Sequence, residues 1–230
     1  MIAPGAPAPR GFSPGWYGKM PAAGDFIARR LSASFSEPWD RWLQEAMAGS
    51  RERLGEGWRD AFLSMPAWRF VFGPGVVSRN AWAGLMVPSV DSVGRYFPLT
   101  VASALPSQAL DTAGTLLAAT PWFEDIEAIA LSALTPGADP AAIDAGIIRR
   151  PFRSAWLQAP SESDATVPAG AALPKLRWAA PGLSETRAAW LAEASELFPR
   201  CLLFCEVLPA AEQYCAMMDA RWAEHGWSRH

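Results

Sequence analysis

Only two histidines occur in the 230 residues, His225 and His230, and both lie within six residues of the C-terminal end. A Ser-His-Asp or Cys-His nucleophilic site needs an imidazole in a cleft, which a terminal segment rarely supplies. Cysteine is almost as scarce. Cys201, Cys205 and Cys215 form an odd set without zinc-ligand spacing, and they read as small buried hydrophobes in a reducing compartment, the cytoplasm. A formal net charge of -3 leaves no basic surface of the kind nucleic acid requires. The short run Arg149, Arg150 and Arg153 reads as solvated surface. No apolar run reaches the ~18 residues that span a bilayer, and Pro4, Pro7 and Pro9 stand where a secretory signal would place an apolar stretch. Gly73-Pro74-Gly75 lacks the Lys-Ser/Thr that completes a phosphate loop, and there is no dinucleotide fingerprint. The expectation is a protein without metal, cofactor, nucleic acid or direct membrane insertion; nothing in the chain speaks to its oligomeric state.

What is present is apolar and aromatic. Half the residues are hydrophobic and 19% are charged, a globular balance, and the length suits one domain with a sizeable core. Twelve tryptophans are unevenly spread: Trp16, Trp39, Trp42, Trp58, Trp68 and Trp82 crowd the first 82 residues. Most of these are expected in the core, with one or two bordering a partner surface, because Trp and Arg are favoured in binding hot spots.

Along the chain, Met1 to Pro14 is a Pro-, Ala- and Gly-rich lead-in, expected to be mobile. Trp16 to Lys19 predicts a strand, and Asp25 a cap or turn. Ser36 opens a helix whose apolar face carries Trp39, Trp42, Leu43, Ala46, Met47 and Leu54. Trp58 to Met65 predicts a second helix. Strands follow at Trp68 to Phe72, Trp82 to Val87 and Tyr96 to Ala102, the last two forming a hairpin with a long loop. Thr112 to Leu134 is helical with a break at Pro121, and Asp139-Pro140 starts a helix through Ile148. Ser161 to Pro174 reads as an exposed flexible loop. Lys175 to Ala179 and Cys201 to Leu208 predict strands, and Ala210 to Glu224 a closing amphipathic helix. Several strand pairs are joined by links too short for helical crossovers, so the sheet is mixed rather than doubly wound.

Two carboxylates, Asp25 and Asp91, lie in Gly-containing loops. Converging, they would make a metal site or an acid/base pair, a carboxylate-dependent hydrolase; apart, each caps a turn or pairs with Arg29, Arg30 or Arg95.

The segment Gly15-Trp16-Tyr17-Gly18-Lys19-Met20-Pro21 with Gly24-Asp25-Phe26 resembles the opening of the TagF (ImpM) family of type VI secretion-associated proteins. Further marks follow in order: Glu37-Pro38-Trp39-Asp40-Arg41-Trp42, Pro66-Ala67-Trp68-Arg69-Phe70, Trp82-Ala83-Gly84, and Pro88 through Leu99 (Pro-Ser-Val-Asp-Ser-Val-Gly-Arg-Tyr-Phe-Pro-Leu). Together they cover residues 15–105 densely. The resemblance implies an α/β fold, a three-layer α-β-α sandwich around a mixed, largely antiparallel sheet. It implies one domain over 15–230, motif-dense to 105 and more variable and helical from 106 to 230. It also implies a cytoplasmic, post-translational negative regulator that binds a forkhead-associated-domain component of the secretion system. Some members carry a fused phosphatase, for which this chain is too short, and the family pattern holds no catalytic residues. A structural subunit of the apparatus is the alternative role. Candidate partner-binding residues are Trp16, Lys19, Asp25, Arg29, Asp91, Arg95 and Tyr96. Gly18, Gly24, Trp39, Trp42, Trp68, Trp82 and Gly94 are expected to form the structural core of the motifs.

Overall fold

A computed structural model describes residues 11–106, 110–159, 174–183 and 185–230. The first half holds β1 (Gly11–Phe12), β2 (Gly15–Gly18), β3 (Ile27–Arg29), α1 (Ala33–Leu54), α2 (Trp58–Ser64), β4 (Trp68–Phe72), β5 (Ala81–Val87) and β6 (Leu99–Leu105). The second holds α3 (Thr112–Ala118), α4 (Thr120–Ala133), α5 (Pro140–Ile148), β7 (Phe152–Arg153), β8 (Leu176–Ala179), β9 (Ala188–Ala192), β10 (Cys201–Cys205), α6 (Ala211–Asp219) and β11 (Ser228–Arg229). Nine strands form one sheet in the order β11-β8-β10-β9-β4-β5-β6-β2-β3. Among the described strands only β8 and β10 run parallel. The sheet is mixed and largely antiparallel, as expected.

Side-chain alternation along the strands divides the core in two. Trp68, Phe70 and Phe72 of β4 and Trp190 of β9 pack with residues of α1, α2 and α6. Their neighbours Val71, Leu85, Val101 and Leu191 pack with α3, α4 and α5. Helices therefore cover both faces. The central strands β4, β5, β9 and β10 are buried throughout, so they read as continuous apolar runs rather than the apolar-polar alternation of a one-sided antiparallel sheet.

Trp39 sits at the centre of the first cluster, with the Phe35, Trp42 and Phe70 rings 5.4, 4.7 and 5.2 Å away. All six early tryptophans are buried, which corrects the expectation that one or two would border a surface. The indole N–H explains how such bulk is accommodated. Trp39 donates to Thr100 Oγ1, Trp42 to the Pro209 carbonyl, Trp58 to Ser50, Trp68 to the Met217 carbonyl and Trp82 to Ser78.

Several boundaries differ from the sequence reading. The first helix starts at Ala33, not Ser36, because Phe35 is buried and stacks on Trp39. Pro38 is tolerated inside it, forfeiting one bond near the helix start, to the carbonyl four residues back. Asp25 does not cap a helix; a short edge strand, β3, follows it and pairs with β2. β9 was not foreseen. Its Ala-Ala-Trp-Leu-Ala sequence has little strand preference of its own, and its strand character comes from pairing on both sides, with β4 and β10. Residues 1–10 and 161–173 lie outside the described residues, whereas Gly11–Phe12 pairs with β7, so the fold begins before residue 15. β8–β11 join the strands of the motif-dense part in a single sheet.

Candidate interaction face

The hairpin of β5 and β6 ends in a tip that chain-local chemistry closes. Val90 and Tyr96 bridge antiparallel. Inside that bridge the Asp91 N–H donates to the Arg95 carbonyl and the Gly94 N–H to the Asp91 carbonyl, both at 3.0 Å. Gly94 turns the chain at φ 84°, a conformation that suits glycine. Asp91 Oδ1 accepts from the Val93 and Arg95 backbone N–H groups at 3.0 and 2.8 Å. Asp91 Oδ2 accepts from Lys19 Nζ at 2.8 Å and Arg95 Nε at 2.6 Å.

Lys19 comes from the other motif segment, after β2. Its side chain is 6% exposed and that of Asp91 0%. Its backbone carbonyl accepts from Ser89 Oγ at 2.7 Å, and its ammonium lies 5.0 Å from the Phe26 ring. The two loops are stitched further by the Ser92 N–H on the Ala23 carbonyl and Arg95 Nη2 on the Gly24 carbonyl. Burial alone would push the Asp91 carboxyl up; the hydrogen bonds from Lys19, Arg95 and Val93 outweigh it and hold that carboxyl well below the usual carboxylate range. Gly18, at φ 137°, lets β2 approach β6 where a Cβ would strike the Pro98 carbonyl.

This geometry sorts the candidates. Lys19, Asp91 and Arg95 come together, but as an internal clamp. Lys19 and Asp91 are buried, which corrects their assignment as partner contacts: desolvated charges of opposite sign hold each other, with nothing left to offer outward. Trp16 is also buried, its indole donating to Asp144 Oδ1 at 2.7 Å, and is corrected likewise. Arg29 is exposed at the sheet edge, its guanidinium donating to the neighbouring Ala28 carbonyl. Asp25 is exposed on the adjacent loop, with Oδ1 accepting from the Phe26 N–H at 2.8 Å. The loops of Asp25 and Asp91 do meet, yet the two carboxylates do not act as a pair: Asp91 carries four donors and has no surface for a substrate. Half-buried Tyr96 packs edge-on against Trp58 and Phe62 at 5.6 and 5.8 Å. Gly24 is exposed and serves through its carbonyl.

The clamp holds out an apolar face. Phe26 and Val93, at the two loop tips, are 41% and 67% exposed. The same two loops contribute Pro21, Pro88 and Val90 to a cavity of about 340 Å³ that Leu63, Met65 and Leu131 also line; Leu63 and Leu131 are themselves exposed. Leu63 and Leu131 had no signal in the sequence beyond helical spacing, since their partners lie on other elements.

A family model described as the TagF N-terminal domain, type VI secretion system-associated, matches residues 15–149. The chain belongs to the TagF family. It is a type VI secretion system-associated protein. Among solved structures, the chain is similar to the crystal structure of PA0076 from Pseudomonas aeruginosa PAO1, at 31% identity over 91% of this chain and 95% of that one, with a TM-score of 0.70. No curated protein matches the chain. The TagF match ends at Arg149, just after α5, while the sheet continues through β8–β11. Among the described residues no helix is long and apolar enough to cross a membrane.

Proposed function

We propose that this TagF protein is a non-catalytic, cytoplasmic negative regulator of type VI secretion, acting after translation by binding the forkhead-associated-domain component. Family membership carries the reading. It is supported by the use to which the family motif is put: buried charges brace two loops that carry the exposed Phe26 and Val93 and help line the groove between Leu63 and Leu131. Exposed apolar patches of this kind suit protein partners.

Deletion of the gene is expected to raise secretion activity while transcript levels of the apparatus stay constant. Unchanged secretion in an active strain refutes the regulatory role. A pull-down with the forkhead-associated component reads the partner directly, and its absence from the bound fraction refutes that choice. Stoichiometric co-purification with the assembled apparatus would make the protein a structural subunit instead.

A further inference from the structure

The sheet ends at β3, whose outer edge no other described strand covers. Which backbone groups line that edge follows from their partners. The Phe26 N–H donates to Asp25 Oδ1 at 2.8 Å and the Ala28 carbonyl accepts from Arg29 Nη1 at 2.9 Å, whereas the Arg29 carbonyl turns inward against Gly15 of β2. The N–H and C=O of one strand residue point the same way, so Phe26 and Ala28 present both of theirs outward. Each end of this short edge is thus capped by the charged side chain next to it. Asp25, Phe26, Ala28 and Arg29 are all exposed. Asp25 and Arg29 are of opposite charge and stand two positions to either side of the buried Ile27. Neither forms an ion pair among the described residues. Asp144, whose carboxyl feels the Arg29 charge, is held by Trp16 and Arg30.

We infer that β3 is a self-association edge, to which a second copy of this chain adds its own β3 antiparallel, about a two-fold axis at Ile27. That axis fixes the register: Phe26 faces Ala28 of the second copy and Asp25 faces Arg29 of the second copy, each pair occurring twice. Phe26 and Ala28 carry the outward backbone groups, so they make the hydrogen-bonded pairs of the new ladder. The caps are exchanged rather than lost. When the Phe26 N–H bonds the Ala28 carbonyl of the second copy, Asp25 and Arg29 are both released, and the register sets the freed carboxylate opposite the freed guanidinium. Directly opposite residues stand about 4.5–5.5 Å apart at Cβ, within reach of such a pair. The Phe26 ring, 41% exposed, lies over Ala28 of the second copy and gives up apolar surface to it. Centring the axis on Ala28 instead leaves Asp25 opposite Leu31 and sets Phe26 against Arg30, whose φ of 59° breaks the strand. None of Asp25, Phe26, Ala28 and Arg29 lines the Leu63–Leu131 cavity, so the inference stands apart from the choice of secretion partner.

Sedimentation equilibrium of the full chain tests this. The paired edge is short, so a monomer–dimer equilibrium with a dissociation constant on the order of 100 µM is expected, weakening as salt rises from about 0.05 to about 0.5 M. Asp25→Arg and Arg29→Asp each set like charges opposite one another at both ends of the ladder, and each is expected to weaken association about tenfold or more. The double variant D25R/R29D re-creates both pairs with their signs exchanged and is expected to return association to within about threefold of the wild type. Both positions are exposed, and recovery in the double variant separates a lost interface from a damaged fold. A monomer at all concentrations up to about 1 mM, association indifferent to the single reversals, or a double variant no tighter than the singles overturns the assignment.

Discussion

Replacing Asp91 with Ala isolates the Lys19–Asp91–Arg95 clamp. The substitution removes a carboxylate whose side chain is wholly buried and strands the Lys19 ammonium in a site 6% open to water. It also orphans the Val93 and Arg95 N–H groups. Breaking a buried pair from one side costs about 3–5 kcal/mol; the tip N–H groups can recover water, so their share is smaller than the ~1–3 kcal/mol of a fully buried orphan. Set against a typical total of about 5–15 kcal/mol, that is a large fraction. Arg95→Ala removes a side chain 55% exposed and leaves Asp91 with Lys19 and both N–H donors, so its cost is about 1 kcal/mol. Urea unfolding followed by tryptophan fluorescence should show a lowered midpoint with unchanged slope, and a melting temperature lower by on the order of 10 °C for Asp91→Ala, taking ~2–4 °C per kcal/mol at this size. Equal losses in the two variants, or a loss below about 1 kcal/mol for Asp91→Ala, would refute the clamp. The pH dependence has a fixed sign. The folded Asp91 carboxyl is depressed, so its stabilisation is full above the unfolded value near ~4 and is lost as pH falls below that. Asp91→Asn should therefore lose stability less steeply than the wild type below about pH 4.

Gly18→Ala should destabilise by about 1 kcal/mol or more, because its φ of 137° and the Pro98 carbonyl leave no place for a methyl group; a melting temperature unchanged from wild type would contradict this. Burial pushes the Cys201 and Cys205 thiols up to about 12 and Cys215 to about 11, so at pH 8 Ellman's reagent should label none of the three in the native protein and all of them in denaturant. Stoichiometric native labelling would contradict the packing of β10 and α6. Leu63→Glu and Leu131→Glu change exposed groove residues, so stability should move by no more than about 0.5 kcal/mol while pull-down of the forkhead-associated component falls sharply; retention of the partner by both would remove the groove from the interface.

Much of the framework is visible along the chain. Helical spacing of Trp39, Trp42, Leu43, Ala46 and Met47 identifies α1's buried face, Asp139 before Pro140 marks the start of α5, where its carboxylate accepts from the Ala141 and Ala142 N–H groups, and the order of the motif segments identifies the family. These signals are local, because caps, turns and periodicity depend on residues a few positions apart. Other features do not reside in any window. Lys19 has the composition of a surface residue and becomes a buried ion only because Asp91, 72 positions on, is folded against it. β9 is a strand through its two neighbours. The sequence by itself determined most of the elements, though not β9 or the short edge strands, and the family to which the motif loops belong. Only the tertiary structure decided which of those charges are sealed inside as a brace and which are left facing water, since desolvation is set by whatever packs over a side chain rather than by the side chain itself.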